Sequence, residues 1–166
     1  MVEAQENLQT TAARLAAKIE LQEHIIERLL VTVASHDALL CRHCGHTVTH
    51  SSMLLNEKSP LALRSYNMSV LGKDQVVQLF QNPVPQTFNV ITALTADLQL
   101  SGKAYMHATW FPEHEWTICV CSRCGTHLGW YFQSGNIQKK STKSFVGLIL
   151  DSLISDDYVD TLTRVP

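Results

Sequence analysis

A mainly β fold preceded by a long helix is what the sequence predicts, and three observations predict it. Two Cys-x-x-Cys pairs, Cys41–Cys44 and Cys121–Cys124, are separated by residues 45 to 120. Short apolar runs alternating with turn residues fill that interval and continue past it. An apolar series repeating every seven residues occupies the first 34 positions. At 166 residues the chain fits one domain with room for an extra helix. The expected division is therefore an N-terminal amphipathic helix over residues 1–37 and a metal-pinned β domain over 38–166.

The helix comes first. Ala12, Ile19, Ile26 and Val33 repeat at seven, and Leu8, Leu15, Gln22 and Leu29 form the partner series. Together they make an a/d stripe from about residue 5 to 34, uninterrupted by Gly or Pro. Glu6, Arg14, Lys18, Glu20, Glu23, Glu27 and Arg28 occupy the opposite face. Such a stripe docks on its own domain, pairs with a second copy or a partner, or belongs to a solvated extension of a longer protein. Self-association through this helix is thus one of the partner expectations.

Character changes at Cys41. Turn residues recur at Asn56 to Pro60, Gly72-Lys73-Asp74, Asn82-Pro83-Val84-Pro85, Ser101-Gly102 and Ser134-Gly135-Asn136. Between them, Val76 to Phe80, Thr87 to Leu94, Thr117 to Val120 and Leu128 to Phe132 read as strands. This spacing suggests antiparallel sheets, not βαβ units. Near the end, Ser141 to Ser155 reads as a short helix with Phe145, Leu148, Ile149 and Leu153 on one side. No internal repeat is evident.

Composition excludes some functions. The formal charge is −2, from 13 basic and 15 acidic residues, so no basic stripe awaits a phosphate backbone. No apolar run approaches the roughly 20 residues that cross a bilayer, so neither nucleic acid nor membrane is expected as a partner. The N-terminus has no basic start or apolar centre of a signal peptide, which fits a cytosolic chain or a secreted one with its signal removed. Asn67-Met68-Ser69 is a sequon by pattern alone.

Two Cys-x-x-Cys knuckles supply four thiolates, the soft ligands of a closed tetrahedral zinc site. One structural zinc per chain, held by Cys41, Cys44, Cys121 and Cys124, is the expectation. The ion would pin together two parts of the β body that lie far apart in sequence. Arg42 and Arg123 inside the knuckles would offset part of the thiolate charge. A disulfide framework would suit a secreted chain, but two Cys-x-x-Cys pairs favour metal over bridges, and a redox dithiol lacks its thioredoxin-like βαβ context. His46 and His50 have the His-x-x-x-His spacing of a zinc finger, yet Gly45 alone separates Cys44 from His46. Both are read as surface or turn residues. Cys119, two residues before Cys121 on a strand, is read as a buried structural thiol.

All three tryptophans, Trp110, Trp116 and Trp130, fall within 21 residues. Trp110 and Trp116 bracket the turn-like Phe111-Pro112-Glu113-His114-Glu115, and Trp130 follows the second knuckle. Taken singly, each would be a core residue. Grouped on a loop and a strand beside a metal staple, they suit an aromatic cage.

Trp110-Phe111-Pro112-x-x-x-Trp116, followed by Cys121-x-x-Cys124-x-x-His127-Leu128-Gly129-Trp130-x-Phe132, resembles the CULT domain family, which includes the ligand-binding domain of cereblon. The likeness extends to Ser141-x-x-x-Phe145-x-Gly147-Leu148, to Asn82-Pro83 and to the first knuckle, covering roughly residues 38 to 155. It implies a β-tent, two antiparallel sheets leaning together with zinc at the apex. It further implies a cage for cyclic imides: glutarimide, thalidomide-type compounds and C-terminal cyclic-imide ends of proteins. Trp110, Trp116 and Trp130 would then be walls, Phe132 the floor, and Asn82 and Pro83 a loop over the pocket. The imide would take its hydrogen bonds from the backbone of Ala108, Thr109 and Trp110.

This chain departs from the family in two places. Glu113-His114-Glu115 stands where the family commonly has Gly-Tyr-Ala, and Ala108 stands where cereblon has histidine, with His107 one place earlier. The resemblance implies a single-domain member and a binding module, not an enzyme. Two alternatives belong to other classes. An oxidoreductase resembling the B-type methionine sulfoxide reductases would need a nucleophilic cysteine outside the metal site, and only Cys119 is left for that role. A structural interaction protein would assemble through its N-terminal helix.

Overall fold

The computed structural model describes residues 14–16, 18–23, 25–26, 36–135 and 143–163. The chain divides into two units, Met1–His36 and Asp37–Pro166. In the first, residues 14–16, 18–23 and 25–26 are helical, and Leu15, Ile19, Leu21, Ile25 and Ile26 are exposed. The described residues support short helical stretches and not the continuous helix expected over 5–34. The remainder of that expectation, including Leu8, Ala12, Leu29 and Val33, lies outside the described residues.

The second unit is built of antiparallel strands. β1 (Ala38–Cys41), β2 (Thr47–His50) and β11 (Leu153–Ser155) form a three-stranded sheet in the order β11-β1-β2. A larger sheet has the order β4-β5-β6-β10-β9-β8-β7, with β3 (Leu54–Leu55) paired to β6. Its strands are β4 (Arg64–Val70), β5 (Lys73–Gln81), β6 (Thr87–Ala93), β7 (Leu98–Tyr105), β8 (His114–Cys121), β9 (His127–Ser134) and β10 (Phe145–Ile149). A helix, α1 (Asp156–Thr163), follows β11, and the Asp156 carboxylate accepts from the Ala38 N–H at 3.2 Å.

The helix expected over Ser141–Ser155 is corrected by these strands. Residues 145–149 are β10, Leu150–Ser152 a 3-10 turn and Leu153–Ser155 β11, while residues 141 and 142 lie outside the described residues. The cause is burial on both faces. β10 lies between β6 and β9, and all five of its residues are buried. A strand covered on both sides carries no period-2 alternation, so Phe145, Leu148 and Ile149 mimic a helical face.

Two core clusters share this body. Leu39, Cys41, Val48, Cys119, Cys121, Leu128 and Leu148 belong to one, around the cysteines. Phe80, Val90, Phe111, Trp130, Phe132, Phe145 and Ile149 make the other, around the aromatic motif. β9 and β10 contribute to both, so the metal-side and aromatic ends are built on the same strands.

Candidate functional site

The two knuckles are built alike. β1 and β8 end at Cys41 and Cys121. In each knuckle the first cysteine's N–H donates to a carbonyl five residues on, Cys41 to His46 and Cys121 to Thr126, both at 2.8 Å. Each following glycine returns its N–H to that cysteine's carbonyl, Gly45 at 2.8 Å and Gly125 at 2.9 Å. Both glycines have φ near +70°, which closes the turn at no steric cost. The shared Cys-x-x-Cys-Gly is a repeat of five residues, far below the length of a fold repeat. Each hairpin also carries a register shift, at Leu39/Leu40 and at Cys119/Val120, consistent with bulges that re-aim the chain.

The four Sγ atoms converge. Cys41 lies 3.7 Å from Cys124, Cys44 lies 3.7 Å from Cys121, and all four lie within 4.8 Å of one another. Such separations exclude a disulfide, whose sulfurs stand about 2.0 Å apart, and are compatible with a metal site. The Thr126 hydroxyl, 3.2 Å from Cys124 Sγ, and the Thr126 N–H hold that thiol down at about 6. Arg42 ties the first knuckle to the start of β11, through its N–H to Ser152 O at 3.0 Å and its Nε to Leu153 O at 3.2 Å. His46 and His50 are outside the cluster. His46 Nε2 lies 2.8 Å from Asp97 and 3.0 Å from Ser122 Oγ, and His50 bonds Asp37 at 3.0 Å.

The second knuckle leads directly into the aromatic end. In the β8–β9 register Trp116 stands opposite Phe132, and Ile118 opposite Trp130. Opposed residues of an antiparallel pair share a face, so all four side chains project together. Gly129, which precedes Trp130, has φ +153°, and a Cβ there would lie 1.9 Å from Gly147 O. No side chain fits at 129 unless β9 and β10 separate.

Trp110 comes from the loop between β7 and β8. It stacks on Phe80 at 4.8 Å and 8°, and meets Trp130 edge-on at 4.5 Å. Its indole N–H donates to Gln81 O at 3.1 Å, and that of Trp116 to His107 O at 2.9 Å. These two walls therefore present faces and have spent their donors on backbone. The Trp110 carbonyl accepts from the Ser59 hydroxyl. Ser59 is fixed in turn by Gln78, which is buried and accepts the Ser59 N–H at 2.7 Å while donating to Glu57 O at 2.8 Å.

A cavity of about 400 Å³ opens between these elements. Of the residues singled out from sequence, Asn82, Pro83, Ala108, Trp110, Trp116, Trp130 and Phe132 line it. Thr109 does not; its hydroxyl turns to Phe111 O at 3.2 Å. Phe88, Ile118, His107 and His127 line it as well and were not foreseen. Ile118 was legible as the i+2 neighbour of Trp116 on one strand, whereas Phe88 arrives from β6 with no local signal. His127 stands perpendicular to Trp130 at 4.7 Å, and burial lowers its pKa below 6.5, against a partial rise from Gly129 O. Ala108 and Glu113 adopt φ +54° and +66°, a left-handed backbone costing an L-residue about 1–2 kcal/mol. Among the described residues, neither the Ala108 carbonyl nor the Trp110 N–H has a hydrogen-bond partner.

No helix among the described residues is long and apolar enough to cross a membrane. No protein-family model matches the chain. Curated relatives do. Protein cereblon of Gallus gallus is 34% identical over 118 residues, covering 70% of this chain and 23% of that protein. Protein cereblon of Xenopus tropicalis is 29% identical over 118 residues, with the same shares. That of Drosophila melanogaster is 27% identical over 120 residues, covering 70% of this chain and 18% of the relative. The chain thus spans about a quarter or less of the length of these relatives. With the four-cysteine cluster and the antiparallel body beneath the aromatic cavity, the chain carries a cereblon-like domain.

Proposed function

We propose that this chain is a non-enzymatic binding module that takes a cyclic imide into its three-tryptophan cavity. Glutarimide, thalidomide-type compounds and C-terminal cyclic-imide ends of proteins share the required chemistry. A flat ring has apolar edges that pack on indole faces, while one N–H and two carbonyls need polar partners. The observation that carries the reading is the pairing of spent indole donors with free backbone groups. The cavity offers apolar faces at Trp110 and Trp116. Its unpaired acceptor and donor sit on Ala108 and Trp110, two residues apart, as an imide's adjacent N–H and C=O demand.

Zinc is the proposed metal. Four thiolates are its closed structural ligand set, and a tetrahedron with metal–sulfur distances of about 2.3 Å has sulfurs about 3.8 Å apart. The 3.7 Å separations across the knuckles fit that figure. The ion's task is structural, fixing the β8–β9 hairpin that carries Trp116 and Trp130. The sulfoxide-reductase alternative fares poorly. Cys119 is fully buried, burial pushes its thiol up to about 12, and it does not line the aromatic cavity.

Titrating glutarimide while following tryptophan emission tests the reading. Wild type should quench saturably, and Trp116→Ala should weaken binding at least tenfold, or about 1.4 kcal/mol. Folded, metal-loaded protein with no saturable signal at millimolar imide would refute it, as would unchanged affinity in Trp116→Ala.

A further inference from the structure

We propose that the ligand continues outside the cavity as a chain that lies on Tyr105 and carries an anionic group to Lys103. Among protein ends, the module then favours a cyclic imide preceded at short distance by an acidic residue. This rests on the imide reading above and names the class of substituent the ring carries. β7 and β8 supply the surface. Tyr105 stands opposite Trp116 in their register, on the face that Trp116 and Ile118 share. Its ring lies 5.1 Å from the Trp116 indole, yet it does not line the cavity and is 42% exposed. The aromatic surface thus runs on from the cage wall into solvent. Lys103 Nζ stands 5.6 Å over the Tyr105 ring.

The backbone brings Lys103 there. From Ser101 to Tyr105 β7 takes four steps, while β8 takes two, from Ile118 to Trp116. The extra residues make a bulge, with Gly102 at φ +85°, and a bulge re-aims side chains away from the regular ladder. Lys103 is exposed, and among the described residues no carboxylate pairs with it. Glu115, next to Trp116 in the chain, belongs to the other face of β8, where its carboxylate accepts from Gln133 Nε2 at 3.3 Å. Charge therefore identifies the occupant as an anion.

Reach fits a peptide. The steps from Trp116 to Tyr105 and from Tyr105 to Lys103 are 5.1 and 5.6 Å, and two or three extended residues at roughly 3.3 Å each span them. An imide formed from a C-terminal glutamine or asparagine carries its chain on the α-nitrogen, so an acid about two places before the ring arrives at Lys103. The Asn82–Gln86 loop, which also lines the cavity, offers no such path. Asn82 donates its N–H to Gln86 O and accepts the Gln86 N–H at Oδ1, both at 3.0 Å, and Pro83 and Pro85 have no N–H.

The test measures affinity by tryptophan emission on the full chain, reduced and metal-loaded, at low ionic strength. Three probes share one ring: glutarimide, acetyl-glutamyl-alanyl-aminoglutarimide and its glutaminyl twin. The glutamyl probe should bind roughly two- to fivefold tighter than its twin, the range of an exposed ion pair. The gap should close towards 1 M salt, where the screening length is about 3 Å. Lys103→Gln should bring the twins to equal affinity, and Lys103→Glu should favour the glutaminyl probe. Wild type that binds glutarimide but treats the twins alike overturns the proposal and leaves the imide reading standing. So does a glutamyl preference that survives Lys103→Glu. Wild type that binds none of the three refutes the imide reading itself, and this proposal with it.

Discussion

Replacing Ser59 with alanine should loosen the first cage wall without touching the cavity. Ser59 is 9% exposed and does not line the pocket. Its hydroxyl donates to the Trp110 carbonyl and accepts the Leu61 N–H at 3.0 Å. Alanine removes both bonds. At about 1 kcal/mol net for each, the loss is about 2 kcal/mol. Urea unfolding should register it as a midpoint lower by about 1 M at unchanged slope, given slopes of ~1–3 kcal/mol per molar for proteins of this size. Any loss of affinity must pass through Trp110, since no ligand reaches residue 59. If ordering the released wall on binding costs about half the lost energy, imide affinity falls roughly fivefold. Ser59→Thr keeps the hydroxyl and should keep both properties. A variant destabilised as stated but binding imide with wild-type affinity would refute the claim that Ser59 positions the wall. Unchanged stability would refute the bonds themselves.

Three further outcomes follow from the geometry. Elemental analysis should find one zinc per chain, and stripping it should unfold the β unit, because Cys41 and Cys121 belong both to the core and to the four-cysteine cluster; well-folded protein without metal contradicts this. Glu113→Gly should raise stability by about 0.5–1 kcal/mol in denaturant titration, since glycine adopts φ +66° without the strain carried by Glu113; a drop would show that the glutamate side chain outweighs its backbone. His127 is half-buried and desolvation lowers its pKa, so the unfolded chain binds more protons in acid. Its contribution to stability is complete above pH 6.5 and is lost as pH falls through the lowered folded value. His127→Gln should therefore show a shallower loss of stability below pH 6.5, and an identical pH profile would contradict the assignment.

What was legible in the sequence was local. Each knuckle is a four-residue signal, and the three tryptophans lie on one stretch of chain that contains the second knuckle. The position of zinc-ligand candidates and of cage candidates followed from that proximity. What was not legible depends on partners distant in sequence. β10 looks helical because side chains on both of its faces are buried, all five of its residues included. β4 and β7 are the two outer strands of the large sheet, and their largely exposed residues gave no alternation to read. Phe88 and the Ser59–Gln78 brace reach the site from β5, β6 and the loop before β4. The left-handed backbone at Ala108 is the least readable of all, since nothing in an alanine announces a positive φ.

The central claim is that the cavity selects a neutral cyclic imide, and paired titration at pH 8 tests it most directly. Glutarimide and its ring-opened form, glutaric acid monoamide, would be compared by tryptophan quenching on the same folded, zinc-loaded protein. No Lys or Arg lines the cavity, and burial lowers the pKa of His127, which does. The carboxylate would have to shed its water without a cation to receive it, costing several kcal/mol, with every ~1.4 kcal/mol a tenfold loss. The account predicts saturable binding of the imide and affinity for the acid lower by on the order of a hundredfold. Equal affinity for the two forms would contradict it, and so would an imide that gives no saturable signal at all.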